Sequence, residues 1–555
     1  MADQNMPAKG GSAFGGKISI SYPPLESEKG VACLSQNRQF QWFAHPTYIY
    51  PVIPAYAASL LAKNGYQVFW DDAIAEELTY DQWKERIMRE KPDVIAIETK
   101  TPVVKMHWRI IDEIKKELSN FSLPSVPSGH LPSGKGEGNG WKPIFVLMGD
   151  HVTARPEESL KNCQVDYVMA SGDYDFMLLN LANHLSKNEP LEGGFWYRKS
   201  CHSRTYLPER QESGNLETGS PIKSGMTNSE ITSEFVNSGP SDISKHNLDT
   251  LPIIDRKLTR WKMYAYKNGN FKYTPGAYMM SGRDCWWGKC TFCSWTTFFP
   301  GEKFRTMSAQ KALEEVENLI RLGVKEIMED SGSLPIGKWL DDFCKGMIDR
   351  GYNKKVTISC NMRITGIKKL ETWKMMKKAG FRFILFGLES ANQETLDKIN
   401  KNLKVEEIEP GLKMCKSGGL EPHITAMIGY PWETKEMAQK TIDLAKDLFK
   451  KGYVDTLQGT IVIPYPGTPL YKYCEENNML LTRDYDHFDQ REMVMKSSLS
   501  SADAKEMVQG LYKSFMSPQF IWRKITSIRS FADIKFLFMA GWKWLGKMTD
   551  FHSVK

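Results

Sequence analysis

The stretch GRDCWWGKCTFCSW, residues 282–295, places three cysteines within nine positions of a chain that has ten cysteines in all. Cys285, Cys290 and Cys293 follow the spacing C-x4-C-x2-C, and Phe292 directly precedes the third. Buried cysteines pack as small apolar residues, and burial alone gives no reason for this spacing. A structural zinc site needs a fourth Cys or His nearby, and the sequence has none at a similar distance. Three thiolates without a local fourth ligand suit a [4Fe–4S] cluster that keeps one iron open to a small molecule.

The region around this stretch alternates between predicted strands and predicted helices from about residue 275 onward. The strands include AYMMSGRD, VTISCNMRIT, FRFILFGLES and PHITAMIGY, and the helix SAQKALEEVENLIRLG begins at a serine cap. About six units of roughly 30–40 residues follow one another, which is too few for a complete eightfold barrel. We therefore predict a partial (β/α)6 barrel of the TIM type, with its chemistry at the carboxyl ends of the strands. The three cysteines follow the first of these strands, where a reactive centre is expected.

The N-terminal part of the chain shows a second alternating series. KISISYPPL, QVFWDD, DVIAIETKT, PIFVLMGD and VDYVMAS are predicted strands, separated by helices such as IPAYAASLLAKNGY. This order predicts an α/β fold with a doubly wound, Rossmann-like parallel sheet that binds ligands at the strand carboxyl ends. Residues 205–250 are polar and poor in aromatic residues, which predicts a mobile linker. The predicted parts are therefore a Rossmann-like domain (1–190), a flexible linker (191–262), the partial barrel (263–500) and a helical C-terminal region (501–555).

Composition restricts the class of protein. A chain of 555 residues is expected to form two or three domains. Its net charge of +7 suits an acidic or membrane-surface partner and does not require nucleic acid. The N-terminus lacks the apolar core of a signal peptide, and no run approaches the roughly 20 apolar residues of a membrane-spanning helix. The remaining cysteines are scattered without paired spacing, as in a reduced cytoplasmic protein without disulfides.

The cysteine loop resembles the cluster loop of the radical S-adenosylmethionine (SAM) superfamily. That loop is normally C-x3-C-x2-C with an aromatic residue before the last cysteine. Phe292 occupies the aromatic position, and the first spacing is one residue longer here. The resemblance implies that Cys285, Cys290 and Cys293 hold a [4Fe–4S] cluster and that SAM chelates the open iron. It also implies that an electron donor such as a flavodoxin or ferredoxin reduces the cluster, and that SAM cleavage yields a 5′-deoxyadenosyl radical.

Further segments stand in the family's order along the predicted barrel. MEDSG (328–332) resembles the segment that receives the amino end of SAM, and GLES (387–390) resembles the fourth-strand motif near its ribose or methionine part. IGYPWET (428–434) resembles the turn I-G-x-P-G-E-T, with a tryptophan in place of the usual glycine. Arg363 ends the third strand and is predicted to pair with the carboxylate of SAM. The SAM-binding residues implied in this way are Phe292, Glu329, Asp330, Ser331, Arg363, Glu389 and Gly429.

VLMGDHVTARPEESL (146–160) resembles the cobalamin-binding module that precedes the barrel in one large radical SAM branch. Two departures from that module are present: Asp150 replaces a glycine, and ASGDYD (170–175) stands where the branch has G-E-G-E. The lower-ligand pattern D-x-H-x-x-G is absent around His151, so we predict a structural or corrin-rim role for this histidine and cobalamin without a lower histidine ligand. The resemblance implies a cobalamin site at Pro24, Thr99, Thr101, Gly149, His151, Thr153 and Gly172.

Residues 516–555 mix aromatic and basic side chains. An amphipathic segment of this kind can lie on an anionic membrane surface, and a helical cap packed on the barrel is the equally weighted alternative. The segment is similar to the tails of cobalamin-type radical SAM proteins of hopanoid and other lipid biosynthesis. That similarity implies a small-molecule or lipid-like substrate. The expected location is the cytoplasm, with peripheral contact to the membrane surface as the alternative.

The leading hypothesis is a cobalamin-dependent radical SAM methyltransferase that acts on an unactivated carbon, with SAM as both radical source and methyl donor. The alternative keeps the radical chemistry for a cyclisation or rearrangement of a lipid or tetrapyrrole-like substrate. A tRNA methylthiotransferase would need a cysteine cluster in the N-terminal half, which has only Cys33, Cys163 and Cys201 at wide spacing. We therefore discount that class, and with it a nucleic-acid partner. A cobalamin-based sensor would have no use for the cluster loop.

Overall fold

The computed structural model describes residues 16–34, 40–120, 141–199, 234–269, 271–299, 304–513 and 518–526, and the isolated positions 528, 533, 534, 537, 538 and 541. It contains a seven-stranded and a six-stranded sheet, each flanked by helices, and two short ribbons of two strands. The mixed α/β architecture predicted from the alternating pattern is confirmed.

The N-terminal sheet is parallel through its centre. Its strand order is β4-β1-β5-β6-β7-β8-β9, and all pairs from β4 to β7 are parallel. Of the central strands, β5 is buried along its whole length and β6 at all but its first residue, as expected for a sheet covered by helices on both faces. The strands are β1 (Lys17–Tyr22), β2 (Val31–Cys33), β3 (Gln41–Phe43), β4 (Gln67–Asp72), β5 (Val94–Thr99), β6 (Ile144–Gly149), β7 (Tyr167–Met169), β8 (Phe195–Arg198) and β9 (Phe235–Asn237). The helices are Val52–Lys63, Tyr80–Glu90, Val104–Asn120, Asp150–Ala154, Pro156–Asn162 and Tyr174–Lys187.

The flexible linker predicted over residues 191–262 is wrong for its described parts. β8 and β9 extend the N-terminal sheet as antiparallel strands, and short 3-10 turns follow at Ile243–Lys245, Leu248–Thr250 and Trp261–Tyr264. The polar composition hid a few large apolar anchors, since Phe195 and Trp261 are buried. Residues 200–233 lie outside the described residues.

The second sheet has six parallel strands in sequence order, β10-β13-β14-β15-β16-β17, which confirms the six predicted units. Ser308 accepts a hydrogen bond from the Lys311 amide and caps the first of the connecting helices, as predicted. The strands are β10 (Gly276–Met279), β11 (Gly282–Arg283), β12 (Arg305–Thr306), β13 (Glu326–Glu329), β14 (Thr357–Met362), β15 (Phe381–Glu389), β16 (Glu421–Ile428) and β17 (Thr456–Ile461). The helices are Trp295–Phe298, Ala309–Arg321, Lys338–Asp349, Leu370–Lys378, Gln393–Lys398, Val405–Ser417, Lys435–Lys451 and Pro469–Glu476.

The C-terminal region begins with two helices, Ser501–Tyr512 and Pro518–Thr526. The Tyr512 hydroxyl accepts from the Gly459 amide and donates to the Gly459 carbonyl, which joins the first helix to β17. Over the described residues, no helix is both long and apolar enough to cross a membrane. The helical prediction is confirmed as far as Thr526.

Candidate functional site

The predicted site residues of the barrel collect at one edge of the six-stranded sheet. Glu329 ends β13, Arg363 directly follows β14, Glu389 ends β15 and Gly429 directly follows β16. Carboxyl ends of parallel strands meet at the same edge, so side chains from four separate strands converge there. The cysteine loop reaches this edge from the end of β10.

The three cysteines of the loop differ from the other described cysteines in exposure. Cys285, Cys290 and Cys293 are partly exposed, whereas the remaining described cysteines are buried. Burial of the sulfur raises the pKa of the Cys290 thiol, and the nearby Lys401 and Arg363 oppose that shift. The described residues contain no group of three His, Cys, Asp or Glu side chains that could hold one metal ion.

The two tryptophans of the loop enclose Arg363. Its guanidinium carbon lies 5.3 Å from the ring centre of Trp286 and 5.0 Å from that of Trp287. Its Nη2 donates to the carbonyls of Lys401 and Asn402. Arg363 therefore ties the cysteine loop to the turn that follows the helix Gln393–Lys398, and its predicted pairing with a carboxylate of SAM stays a prediction.

Lys401 is a site residue that sequence reasoning missed. Its Nζ donates to Oε1 of Glu389 at 2.7 Å and lies 5.9 Å from the ring centre of Phe292. Both charged side chains are buried, so each is the main compensation for the other. The flanking Asn400 and Asn402 have positive φ, and this Asn-Lys-Asn turn is the one local signal that could have indicated Lys401.

Glu329 and Ser331 connect the end of β13 to the start of the cysteine loop. Glu329 Oε1 accepts hydrogen bonds from the amide and the hydroxyl of Ser281, both at 2.8 Å, and the Gly282 amide donates to Ser331 Oγ at 2.8 Å. The other oxygen, Oε2, is buried and has no hydrogen-bond partner among the described residues. Burial raises the pKa of Glu329. Asp330, the third predicted residue here, is buried beside Asn361.

The turn after β16 contains Gly429 and a tryptophan, Trp432. Gly429 has φ +95°, a value that favours glycine, and its amide donates to Glu433 Oε2 at 2.6 Å. Trp432 is not among the residues with positive φ, so the missing glycine costs no backbone strain there. The Trp432 ring stacks on Tyr430, with ring centres 5.7 Å apart, and closes the side of the turn.

At the carboxyl edge of the N-terminal sheet, the predicted residues hold one another. Thr153 Oγ1 donates to the Gly149 carbonyl at 2.7 Å, and Thr99 Oγ1 lies 2.7 Å from His107 Nδ1. His151 is fully buried, with Nδ1 3.2 Å from Thr101 Oγ1. The imidazole of His151 also packs edge-on against Trp108 and Tyr485. The predicted structural or corrin-rim role of His151 stays a prediction.

The same edge carries buried acids that the sequence did not reveal. The Tyr22 hydroxyl donates to Glu98 at 2.6 Å, and the Tyr264 hydroxyl donates to Asp72 at 2.5 Å. Burial raises the pKa of Glu98 to about 7 and that of Asp72 to about 6. Glu98 Oε1 and the Tyr174 hydroxyl are buried polar atoms without a hydrogen-bond partner in the described part of the chain. Pro24 is also buried at this edge.

Three comparisons with known proteins agree with this geometry. Residues 279–445 match the family model described as "Radical SAM superfamily". An uncharacterized methyltransferase of Pyrococcus horikoshii is 26% identical over 484 residues, which cover 84% of this chain and 87% of the relative. The anaerobic magnesium-protoporphyrin IX monomethyl ester cyclase of Cereibacter sphaeroides is 23% identical over 489 residues, covering 85% and 69%.

A solved structure shares the whole layout. The cobalamin-dependent S-adenosylmethionine radical enzyme OxsB, with aqua-cobalamin and S-adenosylmethionine bound, aligns over 96% of this chain and 72% of its own, with a TM-score of 0.64 and 13% identity. At that identity the likeness shows the fold alone.

Proposed function

We propose that this chain is a radical SAM enzyme that methylates an unactivated carbon with cobalamin as the methyl carrier, since residues 279–445 match the radical SAM family model. The observation that carries the proposal is the position of the cysteine loop. Its helix Trp295–Phe298 packs against Gly172 and Tyr174 at the carboxyl edge of the N-terminal sheet. A group bound by the loop and a group bound at that edge would therefore face each other.

The residues of the loop fit a [4Fe–4S] cluster. The donor set consists of three free, partly exposed thiols, and an iron–sulfur cluster takes each thiolate on a different iron rather than gathering them around one ion. Cys285, Cys290 and Cys293 would hold the cluster, and with SAM it supplies a 5′-deoxyadenosyl radical when reduced.

The barrel edge fits SAM beside this loop. Glu329 offers a buried carboxylate oxygen that has no partner within the described residues, which suits the amino group of SAM. Lys401 brings a buried cation next to Phe292, and Glu389 holds that cation in place. Gly429 allows the positive φ of the turn after β16, and Asp330, Ser331 and Arg363 complete the proposed set.

The edge of the N-terminal sheet fits cobalamin. The unpartnered oxygen of Glu98 and the Tyr174 hydroxyl supply polar groups for a ligand's amides. The enclosure of His151 supports a corrin held without a lower histidine ligand. Pro24, Thr99, Thr101, Gly149, Thr153 and Gly172 make up the proposed rim.

A second candidate is a radical cyclisation or rearrangement. It rests on the relatives named as magnesium-protoporphyrin cyclases, one of which covers 85% of this chain. Anaerobic reconstitution with iron, sulfide, cobalamin and labelled SAM separates the two candidates. Methyl transfer releases S-adenosylhomocysteine together with 5′-deoxyadenosine, whereas 5′-deoxyadenosine without S-adenosylhomocysteine favours the rearrangement.

The cluster assignment has a matched control within the chain. Replacing Cys285, Cys290 and Cys293 together with alanine should abolish iron binding and SAM cleavage. Replacing Cys33, Cys163 and Cys474, which are buried elsewhere, should leave the iron content per folded protein unchanged. Retention of four irons in the first variant would contradict the assignment.

We further propose a small-molecule or lipid-like substrate, a flavodoxin- or ferredoxin-type reductant, a cytoplasmic location and contact of the C-terminal region with a membrane surface. The helix Pro518–Thr526 packs inward through Phe520, whose ring lies 4.6 Å from that of Phe449. Its outward face carries Trp522, 70% exposed, and Ile525, 55% exposed. Trp522→Glu should reduce flotation with phosphatidylglycerol vesicles, and Leu481→Glu, at a similarly exposed site, should not. Equal flotation of both variants would exclude this contact.

A further inference from the structure

The cysteine loop is closed at its base by a short ribbon. β11 and β12 pair antiparallel, and Arg283 lies directly opposite Arg305 in their register. Residues 284–304, with all three cysteines, lie between these two arginines in the chain. Whatever holds the two arginines therefore holds both ends of the loop.

Both arginines bind aspartates of the N-terminal domain. Arg283 Nη2 donates to Asp175 Oδ2 at 2.6 Å, and Arg283 Nη1 lies 3.9 Å from Asp173 Oδ1. Arg305 Nη2 donates to Asp173 Oδ1 at 2.8 Å, and its Nη1 lies 2.8 Å from Asp173 Oδ2. Arg283, Asp173 and Asp175 are at most 1% exposed. Two-pronged arginine–carboxylate contact fixes orientation as well as distance.

The residues next to Asp173 and Asp175 bring the N-terminal domain close to the end of the cysteine loop. A Cβ added to Gly172 would lie 2.5 Å from the Phe299 ring and 2.6 Å from the Phe298 ring, so only glycine allows this approach. The Tyr174 ring meets Phe298 edge-on, with ring centres 5.6 Å apart. His246 Nδ1 lies 2.8 Å from Asp173 Oδ2 and holds this aspartate from the other side.

We propose that Arg283 and Arg305, with Asp173 and Asp175, form an ionic lock that sets the position of the cysteine loop relative to the N-terminal domain. The four are positioning residues, because they act through the loop and through the 172–175 turn. The meaning of the lock for catalysis rests on the proposed function: it holds the cluster and SAM at a constant distance from cobalamin. In this chain, the departure ASGDYD therefore serves the contact between the two domains.

A buried ionic contact suits this task better than an apolar one of equal size. Apolar burial is non-directional, whereas a displaced arginine leaves a carboxylate buried without its counter-charge. The contact therefore resists small shifts that an apolar interface would tolerate. The same property makes single substitutions disruptive, so a test needs a variant that removes both charges together.

The test is hydrogen exchange of peptides from residues 284–304 in the full chain without added cofactors. Arg283→Met with Asp175→Leu leaves no unpaired charge between these two residues and is expected to fold. We expect this variant to exchange at least tenfold faster in the loop, while peptides of β14 to β17 keep their protection. Arg382→Met, which breaks a buried ion pair with Glu326 inside the barrel, should not increase exchange selectively in the loop.

A second readout uses the reconstituted enzyme. The loosened loop should raise the ratio of 5′-deoxyadenosine to S-adenosylhomocysteine at least threefold, because radical formation and methyl transfer lose their common geometry. Unchanged loop exchange in the folded double variant would overturn the lock. Faster loop exchange in a chain that binds no cobalamin would support the lock and refute the proposed function, so the two failures are distinguishable.

Discussion

Replacing Arg363 with methionine should lower the free energy of unfolding by about 3–5 kcal/mol. The guanidinium lies over Trp286 and Trp287, and cation–π contacts of this kind stabilise by about 0.5–2 kcal/mol each. It also donates to the carbonyls of Lys401 and Asn402, and hydrogen bonds from a charged donor contribute about 1.5–3 kcal/mol. The cation–π and hydrogen-bond contributions are not fully additive, because the same position of the guanidinium provides both.

The informative comparison is Arg363→Lys, measured by urea unfolding and by calorimetric SAM binding. A lysine keeps the charge but loses the planar stacking, and its Nζ does not occupy the position from which Nη2 donates to both carbonyls. If Arg363 mainly anchors the loops, Arg363→Lys should lose most of the stability that Arg363→Met loses. If it mainly pairs with the carboxylate of SAM, Arg363→Lys should remain stable and retain most of the SAM affinity.

A matched control is Arg89→Met, because the Arg89 side chain is 64% exposed and makes only a weak surface contact. Its free energy of unfolding should change by no more than about 0.5 kcal/mol. The anchoring argument would be refuted if Arg363→Met changed the free energy of unfolding by no more than this control.

Three further predictions follow from burial and packing. Because burial raises the pKa of Glu98 from 4.5 to about 7, the unfolded chain releases this proton first, and the free energy of unfolding should fall as the pH rises from about 4.5 to 7. Glu98→Gln should remove up to about 3 kcal/mol of that fall in urea titrations, and an unchanged pH profile would contradict the assignment. Gly172→Ala should destabilise the chain by about 1–3 kcal/mol, because its methyl group would overlap the Phe299 ring; an unchanged thermal midpoint would show that the ring moves aside freely. Gly510→Ala, inside the helix Ser501–Tyr512 with open space around it, should stabilise by about 0.5–1 kcal/mol, and a loss of stability would argue against that helix.

Local patterns in the sequence predicted much of the fold. The alternation of strand and helix predicted both sheets. This was possible because the apolar residues of each strand or helix recur at a regular spacing that can be recognised within about ten residues. The linker prediction failed at β8 and β9, where polar composition concealed buried anchors such as Phe195. The average composition of a segment changes little when it contains a few large apolar side chains, although these side chains decide whether the segment packs against the rest of the domain.

Some residues of the candidate site could be predicted from local sequence patterns, and others could not. Cys285, Cys290 and Cys293 were recognisable because one short loop contains the whole thiol set. Lys401 was not, because its partners Glu389 and Phe292 come from other segments and the lysine has no motif of its own. The assignment of Arg363 to a carboxylate came from its position at a strand end, which says nothing about the tryptophans that enclose it.

The sequence by itself determined the repeating units, the thiol set and the strand ends at which polar residues appear. These follow from spacing along a few turns or strands, where the backbone geometry is regular. Only the tertiary structure decided that Arg283 meets Asp175, 108 positions earlier in the chain, and that the two domains meet at the cysteine loop. Such contacts depend on how the two domains pack against each other. The charges and shapes that match across an interface do not recur at a regular spacing in either segment, so the sequence pattern does not predict them.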